Sequence, residues 1–347
     1  MVRSEQIQQS KAIQRRTGKT FHLATRLLPQ RVRHPTYVLY AFFRVADEVV
    51  DAAETAPPEE QRRRLEEMRR RALGEEETDD PVLSAFAEVR DRHDIADSDV
   101  HAFVDAMCAD IETDRYRTYD ELAAYMDGSA AAVGRMMTAI MDPVEREKAL
   151  PHATALGEAF QLSNFLRDVR EDVEERDRIY LPRETTAKHG VTDAQLLALE
   201  YDENFRDAMY EELERAERLY REGVEGIRYL PGDCQFAVLL AAVLYADHHR
   251  EIRRRDCDVL ATTPSLSLSR KLYLLAKTRF FWALERDPVA VFRRVSAVSY
   301  PDEDDPASDT ERSTPSLGGA AGGAFGAETS RRVCRSVAGW LRSFTRE

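Results

Sequence analysis

Two acidic clusters hold the residues best placed to do chemistry. The first follows the apolar run Tyr37–Val45 and reads Arg44-Val-Ala-Asp47-Glu48-Val-Val-Asp51. On a helix, Asp47 and Asp51 lie one turn apart, their side chains starting about 5–6 Å from each other. The second reads Gln161-Leu-Ser-Asn164-Phe-Leu-Arg167-Asp168-Val-Arg-Glu171-Asp172. Here Gln161, Asn164, Asp168 and Asp172 step by three or four positions and share one helix face. Phe160, Leu162, Phe165 and Leu166 fix that helix to a core, so the polar row borders a cavity rather than bulk solvent. Like charges one turn apart repel unless a cation sits between them. Carboxylate and amide oxygens suit Mg²⁺, with Mn²⁺ as an alternative; Mg²⁺ takes one or two protein carboxylates and completes its shell with water and substrate phosphate. Two facing D-x-x-x-D helices would clamp a diphosphate through such ions. Arg44 and Arg167 would neutralise the remaining charge, and the diphosphate would become a good leaving group.

A single D-x-x-x-D pair in an acidic chain is ordinarily a solvated face; two, each joined to an apolar stretch and one extended by an amide row, are harder to read that way. A di-iron carboxylate bundle also pairs acidic helices but needs Glu-x-x-His, and no histidine here has Glu three residues before it. Gly18-Lys19-Thr20 resembles the end of a phosphate-binding loop, yet Ile13 stands where its first Gly must be and no strand precedes it.

The elements that would position these residues are helical. Gly and Pro are sparse up to position 300, and no sustained two-residue alternation marks a sheet. Periodicity predicts helices over 4–16, 35–51, 59–73, 81–90, 98–112, 119–141, 149–174, 193–223, 232–254 and 266–285. Between them lie turn-forming stretches such as Asp79-Asp80-Pro81 and Pro231-Gly232-Asp233. One all-α domain over 1–300 is expected, then an acidic and Gly/Ser/Ala-rich linker over 301–330. Residues 331–347 regain helical periodicity, with Val333, Val337, Trp340, Leu341 and Phe344 on one stripe and five Arg against one Glu.

Composition excludes several classes. The chain of 347 residues is 43% apolar and 33% charged, too apolar for a disordered polymer. It lacks an uncharged apolar run long enough to span a bilayer, and the polar start Met1–Ser10 has no signal-peptide core. Its four cysteines are widely spaced, which fits a reducing cytosol. The net charge of −13 disfavours nucleic acid as a partner. Only six of the 50 basic residues are lysine; a surface hydrated in concentrated salt and an arginine-favouring genome both fit that bias.

Five ordered elements resemble the squalene/phytoene synthase family of head-to-head prenyl transferases. They are Lys19-Thr20-Phe21, the segment Tyr40–Asp51, the segment Tyr125–Gly134, the segment Gln161–Asp172, and Arg178-Ile179-Tyr180-Leu181-Pro182. Weaker similarity follows at Tyr245, Asp258-Val259 and Arg270-Lys271-Leu272. The Q-x-x-N-x-x-R-D-V-x-E-D wording lies nearer the phytoene branch of the family than the squalene branch.

The resemblance implies an all-α isoprenoid-synthase bundle with a central apolar cavity. It also implies condensation of two geranylgeranyl diphosphates to phytoene through a cyclopropyl diphosphate, in carotenoid biosynthesis, with no NADPH. By the same resemblance Asp47, Asp51, Asp168 and Asp172 would bind Mg²⁺ with support from Asn164 and Gln161. Lys19, Thr20, Arg44, Arg178 and Tyr180 would contact diphosphate, and Tyr125, Tyr180 and Tyr245 would face the cationic intermediates. Small or flexible residues at 130–132, 134, 136 and 137 would either line the pocket or be plain core. The sequence departs from the family where Asp177 replaces a small residue before Arg178, and where Thr262 and Thr263 replace an Arg. Squalene or dehydrosqualene synthesis from two farnesyl diphosphates is the alternative enzyme reading, and a helical scaffold the non-enzymatic one. The expected location is cytoplasmic, with peripheral contact on the inner face of the cell membrane through the basic helix at 331–347.

Overall fold

The computed structural model describes residues 24–51 and 56–300, with only the backbone of Asp51. The motif residues Lys19 and Thr20, the expected helix over 4–16, the linker over 301–330 and the helix over 331–347 lie outside the described residues. Within them the chain is helical, with one isolated bridge between Arg115 and Ile179 as its sole extended pairing. The helices are α1 (Gln30–Asp51), α2 (Pro58–Ala72), α3 (Pro81–His93), α4 (Asp97–Ala109), α5 (Tyr119–Met126), α6 (Ala132–Met141) and α7 (Arg146–Arg176). They continue as α8 (Arg183–Lys188), α9 (Asp193–Leu197), α10 (Glu203–Glu225), α11 (Gly232–Arg253), α12 (Leu268–Leu284) and α13 (Pro288–Val295). Among the described residues no helix is long and apolar enough to cross a membrane.

α7 is the spine: α6, α10 and α11 all pack against it. Its approach to its neighbours is close enough to require glycine at several points. A Cβ on Gly157 would stand 2.6 Å from the Ala130 carbonyl oxygen, and one on Gly223 of α10 would stand 2.6 Å from the Leu156 amide nitrogen. The spine ends in a closed turn in which the Arg178 and Asp177 amides bond back to Asp172 and Val173. Asp177 adopts φ 51 there, a left-handed conformation that costs most residues energy. Arg115 offsets this cost by donating to the Asp177 carbonyl oxygen and, at 2.9 Å, to its Oδ1. The departure from the family at Asp177 is thereby accommodated locally.

Several predicted boundaries shift for physical reasons. α1 starts at Gln30 rather than Pro35, because the Val32 and Arg33 amides close onto Pro29 and the chain carries Pro35 inside the helix. The expected single helix over 119–141 contains a π-helical segment, Asp127–Ala131, which Arg135 clamps by bonding Asp99 at 2.6 Å and Asp127 at 2.7 Å. The expected helix over 193–223 is two helices. Leu199 takes φ 55 between them, and Asp202 starts α10 afresh by accepting from the Phe205 amide at 2.8 Å. α8 and α13 were not anticipated; α13 is short and begins at an Asp287 cap followed by Pro288.

Two apolar clusters fill the bundle. One gathers Phe42, Phe86 and Phe103 with the α5–α7 side chains. The other gathers Tyr220, Trp282 and Phe292 where α10–α13 meet. Between them runs a cavity.

Candidate active site

The cavity has a volume of about 590 Å³ and follows α7 for almost its whole length, from Ala149 to Arg176. At 1.5 Å per residue that is roughly 40 Å. The helix period makes one stripe of α7 the wall: Ala149, Ala153, Leu156, Gly157 and Phe160, then Gln161, Asn164, Asp168, Asp172 and Arg176. The change from apolar to polar along this stripe divides the cavity. Around the first half stand Met137 and Met141 of α6, Gly223 of α10, and Ile227, Leu230, Val238 and Ala241. Around the second half stand Tyr40, Arg44 and Asp47 of α1, together with Arg178 and Tyr180.

The structure brings Asp47, Arg44, Gln161, Asn164, Asp168, Asp172, Arg178, Tyr125, Tyr180 and Tyr245 to this one cavity. Asp51 ends α1, and its side chain lies outside the described residues. Of the small and flexible residues considered as pocket wall, Ala130, Gly134 and Met137 face the cavity, whereas Ala131, Ala132 and Met136 are buried core. Spacing of three and four explains the split. Thr262, where an Arg was expected, is exposed and accepts from Arg255 at 2.9 Å.

Arginines crowd the carboxylates. Arg167 forks onto Asp168, with Nε donating to Oδ1 at 2.6 Å and Nη2 to Oδ2. Arg176 reaches Asp172 at 3.2 Å, and Arg44 lies 3.5 Å from Asp47. Burial pushes the Asp172 carboxyl up to about 7, the nearby Asp168 charge adds to the rise, and Arg176 opposes it. A buried carboxylate that resists ionisation beside another carboxylate is a place where added positive charge is favourable.

The donor set consists of carboxylate and amide oxygens, which fits a hard divalent cation. Among the described residues no three acidic, His or Cys side chains form a ready-made cage. Mg²⁺ does not need one, since it keeps waters and shares substrate phosphate oxygens.

The aromatic residues are fixed from behind. Tyr125 is buried and donates from its hydroxyl to Asp110 Oδ2 at 2.9 Å. Burial and the Asp110 charge hold its phenol well above the ordinary range. Arg178 donates to the Asp110 carbonyl oxygen at 2.5 Å and lies 3.7 Å from its Oδ1. Tyr180 stacks on Phe165 with centroids 3.8 Å apart, and Tyr245 stacks on Phe160 at 4.5 Å. Ring faces in a dry pocket stabilise a cation by up to about 2 kcal/mol. Sequence reasoning missed Asp110, Arg176 and, apart from Tyr245, the α10 and α11 wall. Arg176 alone carried a local signal, since it continues the polar row four residues beyond Asp172.

The sequence profile of the squalene/phytoene synthase family matches residues 14–271. A phytoene synthase of Rhodobacter capsulatus is 34% identical over 273 residues, covering 76% of this chain and 78% of that protein. The 15-cis-phytoene synthase of Synechococcus elongatus is 32% identical over 280 residues, covering 78% and 91%. Among solved structures, a dehydrosqualene synthase in complex with ligand superposes with a TM-score of 0.72 at 26% identity, over 81% of this chain and 98% of that one. The squalene synthase HpnC from Alicyclobacillus acidocaldarius shares the fold, with a TM-score of 0.66 at 23% identity over 73% of this chain and 94% of that one. The divided cavity, the acidic rows on α1 and α7 and these similarities converge: the chain belongs to the squalene/phytoene synthase family.

Proposed function

We propose that the chain joins two geranylgeranyl diphosphates head to head, expels both diphosphates and makes phytoene for carotenoid biosynthesis. The observation that carries this reading is the polarity of one continuous cavity: an acid- and arginine-lined end suited to diphosphates and an apolar end suited to prenyl tails. The similarity to phytoene synthases supports C20 substrates.

Mg²⁺ held by Asp47, Asp168 and Asp172, with Asn164 and Gln161 beside them and Asp51 on the same helix as Asp47, would supply the positive charge that makes diphosphate a leaving group. Arg44, Arg167 and Arg176 would then turn from carboxylates toward phosphate oxygens. Ionisation of the first substrate leaves an allylic cation, and the double bond of the second attacks it. Loss of one proton closes a cyclopropane that still bears the second diphosphate. Departure of that diphosphate, rearrangement to the 1–1′ bond and loss of a second proton give the product, so no hydride donor enters the balance. The faces of Tyr125, Tyr180 and Tyr245 and the apolar wall keep water from quenching the cations. Lys19 and Thr20 would add diphosphate contacts, and the arginines of 331–347 would contact anionic lipid at the inner face of the membrane.

The likeness to a dehydrosqualene synthase structure favours a second reading, the same chemistry on two C15 substrates. Incubation of the purified full-length chain with geranylgeranyl diphosphate should yield phytoene with Mg²⁺ and none with a chelator. A chelator-insensitive yield would remove the metal from the account, and no hydrocarbon under any divalent ion would leave the scaffold reading.

A further inference from the structure

The reaction leaves one face of the bundle unused. α12 buries Leu274, Leu275, Thr278 and Trp282 and packs on α11 and α13. Its opposite side presents Tyr273, Phe280 and Leu284, which are 53%, 43% and 56% exposed, and Leu268 at its start is 71% exposed. Positions 273, 280 and 284 are spaced by seven and four and form one stripe, with Lys277 inside it.

The charge around this stripe is predominantly positive, although Arg270 forks onto the buried Asp247. α12 holds four basic residues and no acidic one, and residues 268–295 hold seven basic against two acidic, in a chain of net charge −13. The cations sit beside rings: Arg270 lies 5.1 Å from the Tyr273 centroid, Arg279 5.4 Å from Phe236, and Arg286 5.5 Å from Trp282. Exposed aromatic and leucine side chains among cations are the composition of an element that lies in a membrane interface.

We propose that the α12–α13 face docks on the surface of an anionic phospholipid bilayer. A second copy across a two-fold axis would set two basic faces against each other. The segment 331–347, with five Arg and one Glu, would be repelled in the same way, and the acidic segment 301–311 has the opposite charge but no aromatic or long aliphatic side chain to cover the stripe. An anionic bilayer supplies both the opposite charge and an apolar layer for the stripe. None of the exposed stripe residues lines the cavity, so the face would act whichever prenyl diphosphate is used.

Vesicle co-sedimentation of the full-length chain tests this, with phosphatidylcholine vesicles with and without phosphatidylglycerol. Binding is expected only to the anionic vesicles. The triple variant Tyr273→Ser/Phe280→Ser/Leu284→Ser should weaken it at least roughly tenfold through lost apolar burial, with phytoene formation in detergent unchanged. Lys277→Glu/Arg286→Glu, which leaves the apolar residues in place, should weaken it several-fold and keeps the test open should the triple variant misfold. Equal binding to neutral vesicles, no binding to either kind, or wild-type binding by both variants would overturn the proposal. So would binding abolished by Trp340→Ser/Phe344→Ser alone, or a dimer that the triple variant disperses without change in vesicle binding.

Discussion

At the residue scale the site is a balance between carboxylates and arginines, and Asp172 feels it most. Its carboxyl is raised from 3.8 to about 7, chiefly by burial. A folded-state pKa above the unfolded one means that the fold favours the neutral form. Ionisation therefore costs stability increasingly as pH rises above about 4, and the full cost is reached above about 7. Asp172→Asn should raise the melting temperature of the metal-free chain at pH 8 while lowering activity at least roughly a hundredfold; calorimetry and product assay read the two effects separately. Tyr125 makes a different prediction, because its ring faces the cavity and its hydroxyl faces Asp110. Tyr125→Phe keeps the ring and should cost about 1 kcal/mol of stability with little loss of kcat, whereas Tyr125→Leu should lower kcat by roughly tenfold or more. Equal losses of kcat in the two variants would place the chemistry on the hydroxyl instead.

At the scale of elements, much of the site was legible because it is written along one helix. Gln161, Asn164, Asp168 and Asp172 share a face by local spacing alone, and the structure puts all four on the cavity. What escaped the sequence is whatever depends on a neighbour's approach. Asp110 enters only because the segment after α4 passes under Tyr125. Gly223 and Ile227 line the wall only because α10 crosses α7 tightly enough to exclude a Cβ. The break at Leu199 and the π-helical segment over 127–131 were illegible for a related reason: apolar periodicity runs on through both, and tertiary contacts such as Arg135 with Asp99 set the local geometry. Gly157→Ala should accordingly force α7 off the Ala130 carbonyl and cost about 1–3 kcal/mol, read as a lower urea midpoint with an unchanged slope. A neutral result would show that the π-helical segment and α7 can separate freely.

For the whole molecule, stability and product length are the properties at stake. His248 and His249 are buried on α11, and burial lowers both pKa values, that of His248 to about 3. His248 stays neutral in the fold, so its contribution to stability is flat above the unfolded value near 6.5. It falls with pH below that, as the unfolded chain takes up protons the folded one refuses. Between pH 7.5 and 5, His248 alone should cost about 2 kcal/mol, measurable by urea unfolding at the two values. On the proposed reaction, product length would be set by the apolar half of the cavity along α7, whose lining reaches Ala149 and Ala153. Filling it with Ala153→Phe should shift preference toward shorter prenyl chains. The most direct test of the central claim offers the wild-type chain equal amounts of C15 and C20 diphosphates with Mg²⁺, with and without NADPH, and identifies the hydrocarbon by mass. The account predicts a C40 product made equally well without NADPH; a C30 product with no C40 would contradict it.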